Sequence, residues 1–577
     1  MLRYRLENKE NKWKNMIKKT EDSSNNMEDI IKIFYDQLKE DEHNFNNNKE
    51  VSDCAFNTPR TGSSIDKKNK FAHKLLFKLY PIEDNNKPIK VMKSWSYIRY
   101  SKLISMLTKK FKEKLKKDDE ERNSFKRIKM TGQRKNFCTL KKKCPSKAVL
   151  EPSPMIVNVA PLKDLEPFFD FMKKDLPVPK NISADNSNAT KLGQEKDIRG
   201  ANYVRFKRGA FYDDGRIDMC KQVVGRPFIS NLMQSIEHNK YVDHFLLGNN
   251  IINSKGAEEI ANFIINKNTK PKIKTWYIAG NEIDSNGIKK IAKALEDDEY
   301  ADSLWLKRNP IMSEGAKYLG EMLKKNKTLE ILDLNNTGIF DEGVKYIMRG
   351  LRYNNTLQVL YMDANAITPV GTKYICDYFE YLVKKGRKGI TSLWLDMNRL
   401  DDEGIIMLAN SLRNYKFLER LVVGSNRIGP GGIKVLLDAL VDHDNLILLD
   451  VGLYKSTSDM GELPNNICDE GAKYVAKFIE KNKSVQIMNI EHNNITEKGL
   501  EIVFNALEKN KTMLYLYYAQ RGVKIDKKLM NKLKEKMREN IKNNLGITLQ
   551  EFVSNKRRYI KHTDKIKYID SIYRNNM

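Results

Sequence analysis

The residues of this 577-residue chain best suited to chemistry are aromatic and acidic, and they recur in register. Tyr277, Trp305, Tyr361 and Trp394 occupy one place in a repeating pattern, and Asp333 and Asp450 occupy the same place in other copies. Two residues further on stand Lys307, Asp363 and Asp396, with Arg308 beside Lys307. Tryptophan and tyrosine bury large area with few rotors, so a row of them is an anchor for a binding partner. The carboxylates make such a row acidic, and Lys307 and Arg308 interrupt it on one side. Nothing comparable points to catalysis. The seven histidines are dispersed; His244 and His492 lie near strands without a nucleophile beside them. There is no phosphate-binding Gly-Lys-Ser/Thr loop and no His-Glu-x-x-His. The six cysteines are scattered without a C-x-x-C pair. We therefore expect no enzyme, no cofactor, no metal and no small-molecule substrate.

Two stretches show what must position these side chains. "SLWLKRNPI" (Ser303–Ile311) and "SLWLDMNRL" (Ser392–Leu400) share Ser-Leu-Trp-Leu, two variable residues and Asn. They belong to a longer period. Glycines at 256, 287, 315, 343, 371, 404, 432, 471 and 499 are separated by 31, 28, 28, 28, 33, 28, 39 and 28 residues. Four residues before each glycine is an aliphatic, such as Ile283 or Ile311. Six before is asparagine: Asn250, Asn281, Asn309, Asn365, Asn398, Asn426, Asn465 and Asn493, with Thr337 as the exception. An L-x-x-L-x-L run precedes each asparagine, and a helical pattern with apolar residues near i+4 and i+8 follows each glycine. The Leu-x-Leu part reads as a short strand with alternate side chains inward. An asparagine amide both donates and accepts, so it can satisfy backbone groups buried between stacked turns. The glycine is expected to let the loop enter the helix without a Cβ clash. Each unit alone leaves one apolar face open, and stacking closes it.

The pattern resembles the leucine-rich repeat, and the 28-residue unit with a true helix resembles the ribonuclease-inhibitor-like class, which includes Ran GTPase-activating protein. The resemblance covers about Tyr241–Val523. It implies an α/β solenoid, a curved horseshoe with parallel strands on the concave face and helices on the convex face. Tyr277, Trp305, Lys307, Arg308, Asp333, Tyr361, Asp363, Trp394, Asp396 and Asp450 then face the concavity and form the candidate partner-binding surface. The function expected is a non-enzymatic protein–protein interaction scaffold. The alternative that the resemblance carries is GTPase activation, with Arg308 and Asn309, near Asn281, as the residues that would position the nucleotide machinery. That family typically ends in an acidic segment, whereas this chain ends basic. A third reading, an intracellular sensor, would need a nucleotide-binding domain beside the repeats, and none is evident.

The formal charge is +28, of which residues 101–150 supply +12 and residues 524–577 supply +9. Such flanks suit an acidic partner: an anionic membrane, RNA or an acidic protein tail. Solvated tails in a chain biased toward Lys and Asn are the plainer reading. Mean hydropathy is −0.61, and no secretory signal or apolar membrane-spanning run is evident. We expect an intracellular protein, cytoplasmic or nuclear, not secreted. The expected organisation is a mostly disordered 1–72, a basic and partly helical 73–147, a linker at 148–202 with a short helix near Leu165–Met172, an N-terminal cap at 203–240, about nine full repeats over 241–523, and a cap helix with basic tail over 524–577. Within the basic region, Ile104, Leu107, Phe111 and Leu115 mark an amphipathic helix in Trp95–Lys117. It suits a membrane or partner groove, or packing on the repeats with its basic face in water. One further expectation concerns the concavity itself: the chain's own basic flank could fold into it and cover the aromatic stripe.

Overall fold

The computed structural model describes residues 159–178, 189–196, 201–455, 457–458, 462–554 and 568–575. All of these lie within one unit of the chain, Asn123–Met577. Regions 1–72 and 73–147, with the helix expected in Trp95–Lys117, fall outside the described residues.

Short strands and helices alternate because the sequence alternates. Helix α1 (Leu162–Lys173) precedes strands β1 (Ala189–Lys196), β2 (Asn202–Phe206), β3 (Ala210–Tyr212) and β4 (Arg216–Asp218), then helix α2 (Gly225–Ile236). Both α1 and β1 fall within the stretch read from sequence as a linker. Strand–helix units follow: β5 (His244–Leu246) with α3 (Asn253–Ile265), β6 (Thr275–Tyr277) with α4 (Ser285–Leu295), β7 (Ser303–Trp305) with α5 (Met312–Lys325), β8 (Ile331–Asp333) with α6 (Phe340–Leu351) and β9 (Val359–Tyr361) with α7 (Pro369–Lys385). The same plan continues through β10 (Ser392–Trp394) with α8 (Asp401–Leu412), β11 (Arg420–Val422) with α9 (Pro430–Leu440), β12 (Leu448–Asp450) with α10 (Cys468–Lys481) and β13 (Ile487–Asn489) with α11 (Glu497–Lys509). Strand β14 (Tyr515–Tyr517), α12 (Lys527–Leu545), α13 (Leu549–Ser554) and α14 (Ile572–Asn575) complete the described chain.

All fourteen strands form one sheet in sequence order. β1 to β4 pair antiparallel, and from β4 onward every pairing is parallel. The register is strict. Phe245, Trp276, Leu304, Leu332 and Leu360 lie side by side at the centres of successive strands, and each points into the apolar core shared with the helices. The residues on either side of each centre then point to the opposite face, because the strand period is two.

Asparagine ladders stitch the turns. The Asn309 amide nitrogen donates to the Ile278 carbonyl (3.0 Å) and the Leu306 carbonyl (2.8 Å). Its side-chain oxygen accepts from the backbone of Asn281 (2.8 Å) and Ile283 (3.1 Å). Asn365, Asn398 and Asn465 repeat the arrangement. Thr337 has no amide oxygen to offer, and the Ile311 N–H turns instead to the Asn309 carbonyl (2.8 Å). At the last strand, β14, where no asparagine holds the ladder position, the pattern continues through a glutamine. Gln520 accepts from Asn493 N (2.8 Å) and donates to the Ile490 carbonyl (2.9 Å). A second ladder, absent from the sequence reading, follows the helix C-termini: Asn326, Asn354, Asn510 and Asn540 each donate to carbonyls of the preceding unit.

The periodic glycines serve packing rather than a turn. Gly315 has no positive φ; a Cβ there would lie 2.5 Å from Ile311 Cγ2 and 2.7 Å from Ile288 Cγ2 in the neighbouring unit. The left-handed conformation falls elsewhere, on the residue just before most ladder positions, including Arg308, Asn336, Ala364 and Met397.

Candidate functional site

The concave face is built from the first and third residues of each strand and the loop residue two further on. In the third-residue column the rings of Tyr277 and Trp305 have centroids 6.4 Å apart, Trp305 and Tyr361 5.5 Å, and Tyr361 and Trp394 5.1 Å. Asp333 stands between Trp305 and Tyr361 in strand order, so the two rings approach each other across it. These side chains cluster apart from the main core, with Leu246, Ile331 and Val359 beside them. Trp394 is fixed by its Nε1 donating to Ser392 Oγ (2.8 Å). The buried Nε1 of Trp305 has no hydrogen-bond partner.

The acidic residues form a chain along the adjoining loops. Asp333 Oδ1 accepts from Asn335 N (2.9 Å), and the Asn335 side chain accepts from Asp363 N (2.8 Å). Asp363 accepts from Asp396 N (2.9 Å), and Asp396 accepts from Gly424 N (2.8 Å). Asp450 accepts from Gly452 N (2.9 Å) and Asn489 Nδ2 (3.1 Å). Burial, against the opposing charge of Lys307 and with that of Asp333, pushes Asp363 up to about 7. Burial, then Asp363 and Asp450, raise Asp396 well above the carboxylate range. Burial lifts Asp450 to about 6. Burial, then neighbouring Arg308, lowers Lys307. Like charges crowded in a low-dielectric groove resist ionising together. Their protons therefore belong to the row as a set.

Beyond this row, the insertion after β12 is pinned over the same edge. Glu462 pairs with Arg399 (2.8 Å) and Arg427 (3.3 Å), and Thr457 bonds Ser425 (2.7 Å). Tyr454, at its start, packs on Ala364 and Met397.

Alternation does aim the tryptophans into the concavity, but the stripe is not open. Tyr277, Trp305 and Tyr361 are 7 %, 4 % and 4 % exposed, and Asp333, Asp363 and Asp396 are buried. Trp394, Lys307, Arg308 and Asp450 are half-buried. The chain's own C-terminal segment lies on the face. Phe552 of α13 is fully buried against Val422, Leu448, Ile487 and Leu514. Ile569 is buried among Leu246, Tyr277 and Trp305.

The residues that receive the end of the chain were missed in the sequence reading. Tyr568 stacks on His244 with centroids 3.8 Å apart. Arg216, held by Asp214 (2.8 Å), donates to the Asp570 carbonyl (2.8 Å). Asp218 is fully buried; it accepts from Ser571 Oγ (2.9 Å), Ile572 N (3.1 Å) and Cys220 N (3.1 Å). Tyr573 packs with Tyr203 and Tyr212, and Arg574 lies 4.2 Å over the Tyr277 ring. The available signals were the tyrosines interleaved in the basic tail and His244 beside a strand; nothing local in "GRIDMC" marks Asp218 as a receptor.

Strand order, register and the asparagine ladder together decide the architecture. The chain folds as a leucine-rich repeat solenoid. A leucine-rich repeat family model matches residues 269–292 and 325–348. No curated protein matches the chain. Among solved structures it is similar to the leiomodin-1 actin-binding site 2, with 14 % identity and a TM-score of 0.20 over 43 % of this chain and 96 % of that one. Among the described residues, no cluster of His, Cys, Asp and Glu could hold a metal ion, and no helix is long and apolar enough to cross a membrane.

Proposed function

We propose that this repeat protein is a non-enzymatic interaction scaffold whose concave aromatic and acidic face binds a segment of a protein partner. One observation carries the reading. Four aromatic rings follow one another across five strands of a strictly registered sheet, bordered by a row of carboxylates. Once uncovered, such a surface offers large apolar area at little entropic cost, and the carboxylates favour a basic or hydrogen-bond-donating segment. The repeat scaffold supports the same reading, since stacked units present extended concave surfaces. The basic flanks would add an acidic partner, such as an anionic membrane, RNA or an acidic protein tail. Arg308 fits a scaffold better than a GTPase activator. It is half-buried in a left-handed turn, and burial disfavours its charge.

The test compares partners captured by wild type and by a Trp305→Ala plus Trp394→Ala variant. Both rings lie outside the main core, so the variant should melt as a folded protein and lose its specific partners. A folded variant with an unchanged partner set removes the stripe from the function. A parallel assay of GTP hydrolysis by a panel of small GTPases should show no acceleration by the wild type.

A further inference from the structure

The described end of the chain is bound as a ligand would be. Every kind of contact in a specific peptide site is present over seven residues. There is an aromatic stack at Tyr568, an aliphatic anchor at Ile569, a backbone carbonyl read by Arg216, a hydroxyl and an amide read by Asp218, a tyrosine pocket and a cation over a ring. The receiving groups are built for it. Asp218 and Arg216 are 0 % and 1 % exposed, so leaving their polar atoms without the tail would require water to replace each bond. Yet the segment also covers the start of the aromatic stripe: Ile569 is buried in one cluster with Tyr277 and Trp305, and Arg574 lies over the Tyr277 ring.

We propose that Tyr568–Arg574 is an intramolecular pseudo-ligand. It occupies the N-terminal third of the concave face, and a partner segment of the same chemistry must displace it. That chemistry is an aromatic–aliphatic pair, then a hydroxyl residue two positions on, then tyrosine and arginine. Tethering holds the tail at an effective concentration on the order of mM, so a free competitor of ordinary affinity is excluded until the tail is weakened. Ser571 is where it is most easily weakened. Its hydroxyl donates to the buried Asp218 carboxyl group, whose charge burial already disfavours, and a second acid there would remove that donor and place a negative group where no solvent reaches. The proposal rests on the scaffold reading but is tested separately from it.

The experiment uses the full-length protein, a Ser571→Asp variant and a fluorescent synthetic peptide of residues 566–577. In wild type, the amides of Ile572 and Tyr573 should exchange slowly with deuterium. In Ser571→Asp they should exchange as a free chain does. The labelled peptide should bind Ser571→Asp about tenfold or more tighter than wild type, and the same peptide carrying Asp at position 571 should bind neither protein. Fast exchange in wild type, or equal peptide affinity for the two proteins, overturns the proposal. So does a wild-type dimer that becomes monomeric in Ser571→Asp, because the segment would then come from a second copy. Loss of the scaffold reading leaves the protected amides in place, so the two failures are distinguishable.

Discussion

At the scale of single residues, the acidic row behaves unlike surface carboxylates. Asp363 titrates near 7 because burial, reinforced by Asp333, outweighs the attraction of Lys307. The sign of the consequence follows from where the proton sits. Between the ordinary carboxylate value of about 4 and about 7, the folded protein holds a proton that the unfolded chain releases. Asp363 therefore favours folding at low pH, and that contribution is lost as pH rises through this window. Asp363→Asn keeps an oxygen to accept from Asp396 N and removes the titration. The variant should match wild type near pH 4 and be more stable at pH 8, as read from urea midpoints at the two pH values. A variant less stable than wild type at pH 8 would show that the ionised carboxylate, paired with Lys307, is the favoured form.

At the scale of elements, each unit is a strand, a ladder residue and a helix, and the tightest constraint is where the helix begins. A methyl group on Gly315 would meet Ile311 and Ile288, one in its own turn and one in the preceding unit. Helix propensity favours alanine over glycine by about 1 kcal/mol; overpacking costs about 1–3 kcal/mol and should win. Gly315→Ala should lower the urea midpoint with an unchanged slope, whereas a gain in stability would show that the neighbouring isoleucines give way freely. The periodicity alone makes the units legible: the spacing of Leu304, Leu306, Asn309 and Gly315 names strand, turn and helix in order. The reason for the glycine was not legible, because a turn and a close contact leave the same residue in the sequence. Gln520 was missed for a related cause, since one longer amide does the work of asparagine only once the last strand is seen in place.

At the scale of the whole molecule, the two ends of the array are handled differently. The N-terminal end is closed by α1, α2 and the antiparallel strands. The C-terminal end is closed by α12, whose Leu533 and Met537 are buried in the common core, while Asn540 satisfies two carbonyls of the last unit. In a solenoid a unit contacts only its neighbours, so an uncovered end frays inward. Leu533→Ala with Met537→Ala should cost roughly 2–5 kcal/mol per site, less where the end collapses. It should also release protection first in α11 and β14 by hydrogen exchange. Uniform loss of protection along the array would mean that the solenoid unfolds as one block, without fraying from this cap.

What the sequence determined by itself is the repeat: its period, its core leucines, its asparagine turns, and the side of each strand on which Tyr277, Trp305, Tyr361 and Trp394 stand. These follow from local periodicity, and stacking identical units leaves little else to choose. Only the tertiary structure decided that the stripe is covered, and by what. Tyr568 and His244 are more than three hundred residues apart, as are Ser571 and Asp218, and no local pattern links such pairs. Their meeting depends on the chain returning, after the last helix of the array, to the sheet face near β4 and β5. Packing between neighbouring units likewise removes Asp363 and Asp396 from water and raises their pKa, which residue type and spacing alone leave open.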